Sequence, residues 1–255
     1  MEKAAGQYNE LIKNNARQWE TRALLRLAYE RFYKMIAHEA KRDINRPTFE
    51  LGSGGGYLKT VMPDCVLTDF IKLPGIDRVE NAYSLNFESG SVANLILFDV
   101  WHHLEYPGSA LSEFRRVLAP GGRVIIFDPA LSVLGCLIYG LFHREPLGIF
   151  KKISWLKPAS FVPERAPYYS AQGNAFRIFR GEKYESFLRG WKLLKIKRLA
   201  AISYLASGGY SGPQLCSEKF FPCLLKIDRV LDRWPLLFAS RMLVVLEKDG
   251  RPDKI

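Results

Sequence analysis

A chain of 255 residues, 48% of them hydrophobic, has the length of one domain, or of one domain with an insertion, and too much apolar content to be disordered throughout. Its formal charge of +11 favours an anionic surface or substrate (nucleic acid, phospholipid headgroups or a phosphorylated small molecule) without choosing among them, and a merely basic solvated exterior fits as well. Cys65, Cys136, Cys216 and Cys223 lack C-x-x-C spacing and Met1-Glu2-Lys3-Ala4 lacks the apolar core of an export signal, so the expectation is a cytoplasmic protein with reduced core thiols and no metal site.

In chain order, residues 7 to about 42 predict two helices meeting near Thr21, because Leu24, Leu27, Ala28, Phe32, Met35 and Ile36 recur at spacings of three and four. Pro47 ends that segment. Thr48–Leu51 predicts a short strand, Gly56 to about Met62 a helix, and Cys65–Thr68 a second strand closing on Asp69. Pro74 and Gly75 then interrupt what would otherwise be a crossover helix, so a short turn or irregular loop is expected there. Val92–Val100 is a continuous apolar run containing Asp99, the pattern of a strand buried on both faces. A helix over 107–118, a turn at Pro120-Gly121-Gly122 and a strand over 123–127 follow. Strands alternating with helices from 48 to 128 indicate a parallel α/β sheet.

Beyond Pro129 the pattern changes. Leu131–Phe142 is apolar but too short to span a bilayer, and predicts a buried or interfacial helix. Residues 143–180 are rich in proline, aromatic and basic residues, the composition of a lid or substrate-binding insertion. A helix over 182–190, a strand over 192–204, a basic apolar helix over about 214–232 and a last strand over 241–247 complete the expectation.

The segment with most chemical content is Glu50-Leu51-Gly52-Ser53-Gly54-Gly55-Gly56-Tyr57, an acid at a strand end followed by a glycine-rich turn. Alternate glycines let the backbone bend sharply and approach a ligand. A dinucleotide loop needs glycine where Tyr57 stands, and a phosphate-cradling P-loop needs a Gly-Lys-Ser/Thr ending that is absent. The spacing points to a nucleoside ligand without a pyrophosphate.

With these residues in view, the chain resembles the class I S-adenosylmethionine-dependent methyltransferases, in particular the broad group called type 11. Four landmarks in order carry the resemblance: Glu50–Gly56, Asp69, the run Phe98-Asp99-Val100-Trp101-His102-His103-Leu104, and Phe114–Arg123. It covers about Phe49 to Pro129 and extends plausibly to Glu247. It implies a Rossmann-like, seven-stranded, mostly parallel sheet with helices on both faces and the last strand antiparallel, in one domain over 1–255. Within that domain, residues 1–45 would be a helical cap, 46–129 the cofactor core, 130–180 the substrate or lid insertion and 181–255 the rest of the sheet.

The resemblance also implies S-adenosyl-L-methionine as cofactor. Gly52, Ser53, Gly54 and Gly56 would reach its methionine and ribose portions, with Glu50 beside the cofactor's amino group. Asp69, nineteen residues on from Glu50, would accept the ribose hydroxyls, with Phe70 next to it. Asn81 and Ala82 would lie on the adenine side, where many members carry an acid instead. Asp99 and Val100 would face the methionine moiety. His102 is the candidate general base, since imidazole titrates near neutrality, although methyl transfer from a sulfonium often needs only alignment.

The acceptor is less legible. Arg144, Lys151, Lys152, Lys157 and Arg165, with the aromatic residues among them, fit a small or lipid-like acceptor met at a membrane surface, or a nucleic acid stacked on Trp155, Phe161, Tyr168 and Tyr169. The first ranks ahead, so the expectation is a cytoplasmic enzyme with peripheral membrane contact. An RNA methyltransferase and a catalytically silent cofactor-binding module are the alternatives.

Overall fold

The computed structural model describes residues 2–141, 145–163 and 168–250. Seven strands form one sheet: β1 (Thr48–Leu51), β2 (Val66–Asp69), β3 (Arg78–Val79), β4 (Val92–Phe98), β5 (Leu118–Pro129), β6 (Trp191–Leu199) and β7 (Arg241–Lys248). Their order is β3-β2-β1-β4-β5-β7-β6. The first five run parallel, and β7 is antiparallel to both β5 and β6. This is the mostly parallel seven-stranded arrangement expected, with the last strand reversed.

Every residue of β4 is buried, which explains its unbroken apolar sequence. Side chains alternate across the sheet with a period of two. Leu95, Leu97, Val124, Ile126, Val244 and Leu246 belong to one apolar cluster, together with residues of α3 (Pro107–Val117) and α5 (Asn174–Phe179). Ile96, Phe98, Ile125, Phe127, Leu243 and Val245 belong to a second cluster, with α2 (Ala23–Glu39). Strand order reverses between β1 and β4, so the loops leaving these two strands open onto one crevice.

The N-terminal region forms α1 (Glu2–Thr21) and α2, breaking at Arg22 as the pattern near Thr21 implied. Arg22 closes the break by donating to the carbonyls of Gly209 and Gly212 at 2.8 and 2.6 Å. α2 is part of the core: Leu25, Tyr29, Phe32 and Ile36 are buried, and the Phe32 ring lies 4.6 Å from that of Phe127.

Several boundaries differ from expectation, each for a local reason. The helix expected at 56–62 is a single 3-10 turn, Tyr57–Thr60, entered through Gly56 at φ 72°. The crossover after β2 has no helix, as Pro74 and Gly75 implied, but ends in β3, which at two residues is too short to show a period. Residues 119–122 sit inside the β5 span as an irregularity, since Val92 pairs with Leu118 and Asn94 with Arg123.

The strand expected at 192–204 stops at Leu199. Ala201 takes a positive φ of 53° and starts α6 (Ile202–Ala206), where the Ser203 hydroxyl bonds the buried Asp228 carboxylate at 2.6 Å. Residues 182–188 are 3-10 rather than α-helical, and the basic apolar helix is α7 (Phe221–Leu231), followed by α8 (Pro235–Phe238). The end of the supposed lid is α5, whose Ala175, Ile178 and Phe179 are core residues. Among the cysteines only Cys65 is buried, and Cys223 is exposed.

Because α2 covers the sheet, Phe32→Ala is expected to destabilise the protein by about 3–5 kcal/mol. The shift of the urea unfolding midpoint measures this. A change below about 1 kcal/mol would mean that α2 is a detachable cap.

Candidate active site

Glu50 ends the apolar run of β1 and is 3% exposed. One of its carboxylate oxygens, Oε2, is buried with no hydrogen-bond partner. Burial pushes this carboxyl up to about 8; the Ser53 hydroxyl opposes the shift and the charge of Asp69 adds to it. A buried acceptor without a donor is costly unless a ligand supplies one. A primary ammonium group, which brings both charge and donors, fits this position.

The turn after Glu50 is built from glycines where glycine is required. Gly52, Gly54 and Gly56 all have positive φ, at 71°, 52° and 72°. A Cβ on Gly52 would come within 2.4 Å of Val100 Cγ2, on the loop leaving β4. Ser53 staples the turn to β2: its N–H donates to the Thr68 carbonyl at 2.9 Å and its hydroxyl accepts from the Thr68 N–H at 3.1 Å. Beyond the turn, Tyr57 stacks on Trp19 of α1 with ring centroids 3.9 Å apart, so the residue that stands where a dinucleotide loop has glycine anchors the helical cap.

Asp69 closes β2 and accepts from the Gly54 N–H at 3.0 Å, which brings the two expected ribose-side groups together. Phe70 beside it is 48% exposed. Asn81 accepts from the Tyr83 N–H at 2.9 Å and caps a tight turn, and Ala82 packs against the core. Asp99 follows β4 with a φ of 56°, a conformation aspartate tolerates better than most residues. Its carboxylate is clamped by Arg241, with Nη2–Oδ2 at 3.0 Å.

His102 is 3% exposed and lies between two carboxylates. Nδ1 is 2.8 Å from Asp128 Oδ1, and Nε2 is 3.2 Å from Glu145 Oε2. Burial opposes a charge on this ring, but the two acids outweigh burial and push it up to about 10. Burial and the His102 charge push the adjacent His103 down to about 4. Glu145 is held below the usual carboxylate range against its partial burial, by hydrogen bonding from His102 and the charges of both imidazoles. It also accepts from Tyr168 at 2.6 Å, Ser170 at 3.0 Å and Gln172. Both ring nitrogens of His102 are therefore engaged in a bonded row rather than left free to act as a base.

Asp128, Glu145 and Arg241 were not foreseen. Asp128 ends a buried strand just as Asp69 does, and that signal was present in Phe127-Asp128-Pro129. Glu145 and Arg241 carried no comparable mark, because their roles come from a loop and from the reversed strand. Trp155 and Phe161, expected as stacking platforms, are engaged internally: Trp155 packs on Tyr184 and Phe187, and Phe161 against Tyr83 and Tyr106. Tyr168 is 74% exposed. Lys151 lies over the Tyr169 ring. Lys152 and Lys157 face solvent, while Arg144 and Arg165 lie outside the described residues.

This crevice gathers an acid and a glycine turn at the end of β1 with acids closing the neighbouring strands, at the point where strand order reverses. Residues 71–126 match the family model described as a methyltransferase domain. That match covers under half of the chain, and beyond it the likeness to methyltransferases is one of fold. The matched segment runs from the loop after β2 into β5 and does not include the Glu50–Gly56 turn. No curated protein matches the chain by sequence.

Similar solved structures include the protein bound to the Trm112 methyltransferase activator in a complex from Haloferax volcanii (12% identity, 97% of this chain and 96% of that one, TM-score 0.52). Another is a Galdieria sulphuraria protein described as a sarcosine dimethylglycine methyltransferase (13%, 87% and 87%, 0.50). A third is geranyl diphosphate C-methyltransferase from Streptomyces coelicolor, solved with Mg2+, geranyl diphosphate and S-adenosyl-L-homocysteine (11%, 86% and 80%, 0.50). At these identities the likeness is one of fold.

Two outcomes are expected at Glu50 and Gly52. A carboxyl with a raised folded value keeps a proton that the unfolded chain releases, so stability falls as pH rises from about 4.5 to about 8, and Glu50→Gln removes that slope. A bound ammonium reverses the preference and expels the proton. Calorimetry with S-adenosylmethionine at pH 7 then gives a binding heat that depends on the buffer's ionisation enthalpy in the wild type but not in Glu50→Gln; equal heats in all buffers would refute the proton release. Gly52→Ala, blocked by both φ and Val100, is expected to weaken cofactor binding by at least 100-fold, on the order of 3 kcal/mol.

Proposed function

We propose that the protein transfers the methyl group of S-adenosylmethionine to a small or lipid-like acceptor, by in-line displacement in the crevice between β1 and β4. The observation that carries this reading is the unpartnered, buried Glu50 oxygen beside three positive-φ glycines. When bound, the cofactor's sulfonium supplies an electrophilic methyl group. Glu50 receives the ammonium group, and the Gly52–Gly56 turn, with Ser53 fixing it to β2, offers N–H groups to the methionine and ribose portions. Asp69 takes the ribose hydroxyls, Phe70, Asn81 and Ala82 border the adenine, and Asp99 and Val100 border the methionine side. His102, bonded on both ring nitrogens by Asp128 and Glu145, acts as a positioning residue that holds Glu145 and its polar row in place. Alignment rather than proton removal is then the main catalytic contribution.

A lipid-like acceptor approached at a membrane surface is supported by the face of α4 (Val133–Leu141). Val133, Leu137 and Leu141 share one side of that helix, four residues apart, and all are exposed. α4 packs against α8, whose Leu236 and Leu237, with Trp234 just before them, are also exposed. Lys219, Lys226, Arg229 and Arg233 face solvent on and around α7. Exposed apolar residues, with exposed basic ones on the helix that precedes α8, suit an anionic lipid surface. No described helix is long and apolar enough to cross a membrane.

Transfer of tritium from labelled cofactor into a lipid extract, and not into RNA, is the expected result. Label in RNA would establish the nucleic-acid alternative, and cofactor binding without any labelled acceptor would establish a silent module. Leu137→Asp with Leu141→Asp is expected to abolish pelleting with phosphatidylserine vesicles while leaving cofactor affinity unchanged. Once an acceptor is known, His102→Asn is expected to lower kcat roughly 100-fold with cofactor affinity intact, a loss of alignment.

A further inference from the structure

We propose that His102, His103 and Glu145 form a binding site for one divalent transition-metal ion of the zinc type, in a two-histidine, one-carboxylate arrangement. The three side chains offer ligand atoms that all lie within 4.8 Å of one another. His102 Nε2 is 3.2 Å from Glu145 Oε2, and His103 Nε2 is 3.7 Å from Glu145 Oε1. Ligand atoms bound tetrahedrally at about 2.0–2.1 Å stand roughly 3.3 Å apart, so only small side-chain adjustments separate this cluster from a coordination sphere.

Orientation argues further than proximity. In both histidines the other ring nitrogen is already engaged. His102 Nδ1 lies 2.8 Å from Asp128 Oδ1, and His103 Nδ1 lies 3.0 Å from the Tyr169 carbonyl oxygen. An Nδ1–H donated to a carboxylate or a backbone carbonyl makes Nε2 the ligand atom, the arrangement that surrounds histidine-bound metals, and in His102 the ion would displace the Nε2 proton shared with Glu145. Two adjacent histidines share this orientation, and their Nε2 atoms converge on one carboxylate. A purely structural ion pair would need only one of them.

The carboxylate is likewise held from behind. Tyr168, Ser170 and Gln172 donate to Glu145, so its rotamer is set by groups other than the imidazoles. Glu145 and His103 are each partly exposed, whereas His102 is 3% exposed, which gives an ion a route from solvent to a buried inner ligand. Nitrogen and oxygen ligands together select an imidazole-binding ion over Mg2+ or Ca2+, which favour all-oxygen sites. The cysteines contribute nothing here. The proposal does not depend on methyl transfer, because binding is measured without cofactor or acceptor.

The test uses full-length protein treated with chelator and desalted, with its cysteine thiols alkylated. It is titrated with Zn2+ by calorimetry, and with Co2+ by visible absorption. The expected result is one equivalent bound, with cobalt d–d bands of a nitrogen- and oxygen-ligated site. His103→Ala and Glu145→Gln should each weaken binding at least 100-fold. Asp128→Asn, which would not touch the ion, should weaken it about 10–100-fold. Circular dichroism of each variant confirms folding, and the wild-type cobalt spectrum stands independently of any variant. Absence of stoichiometric binding in the wild type would overturn the proposal. So would one equivalent bound undiminished in both His103→Ala and Glu145→Gln.

Discussion

The rest of the structure depends on the burial of the central strands on both faces. With α2 on one side and α3 and α5 on the other, β4 and the inner half of β5 have no place for a charge along their length. Acidic groups on the inner strands therefore gather at the carboxyl ends: Glu50 at β1, Asp69 at β2, Asp99 beyond β4 and Asp128 at β5. Four acids at one edge repel one another, and the fold supplies their counter-charges from outside the parallel set. β7 runs the opposite way, so its first residue, Arg241, reaches the same edge and clamps Asp99. The imidazole of His102 does the same for Asp128. Glu50 alone of the four is buried with no ion pair among the described residues and one oxygen unpartnered, which is why the proposed ammonium site is placed there.

The turn from Glu50 to Gly56 was legible because its physics is local. A glycine with φ of 71° and no room for a Cβ, or an acid closing an apolar run, is written into a few adjacent residues. The parallel core was legible for a similar reason, since two-sided burial leaves an unbroken apolar stretch. What sequence reading missed depends on distant residues. Arg241 meets Asp99 only because β7 is antiparallel, and Glu145 meets His102 only because a loop of mixed composition folds back over β4. Ala201, an unremarkable residue in sequence, ends β6 by taking a positive φ that nothing nearby announces. The 3-10 turn after Gly56 was mistaken for a full helix because four residues of either look alike in pattern.

The segment after β5 has a different character. The segment from 145 to 179 combines a core helix, α5, with a polar row around Glu145 and a surface of exposed apolar residues such as Phe150 and Leu156. Aromatic residues that composition alone would assign to stacking are divided by the fold, with Trp155 and Phe161 in internal packing and Tyr168 at the surface.

The contact between Gly52 and Val100 joins the first and fourth strands of the sheet at one atom's breadth. In evolutionary terms it is a ratchet. Shrinking residue 100 would relieve the steric conflict yet leave the backbone angle at residue 52 unfavourable to any side chain, so residue 52 cannot leave glycine by a single neutral step whatever happens at residue 100. Lineages that inherit this turn are expected to keep glycine at 52 while 100 varies in size, a one-way dependence between two sites far apart in the chain.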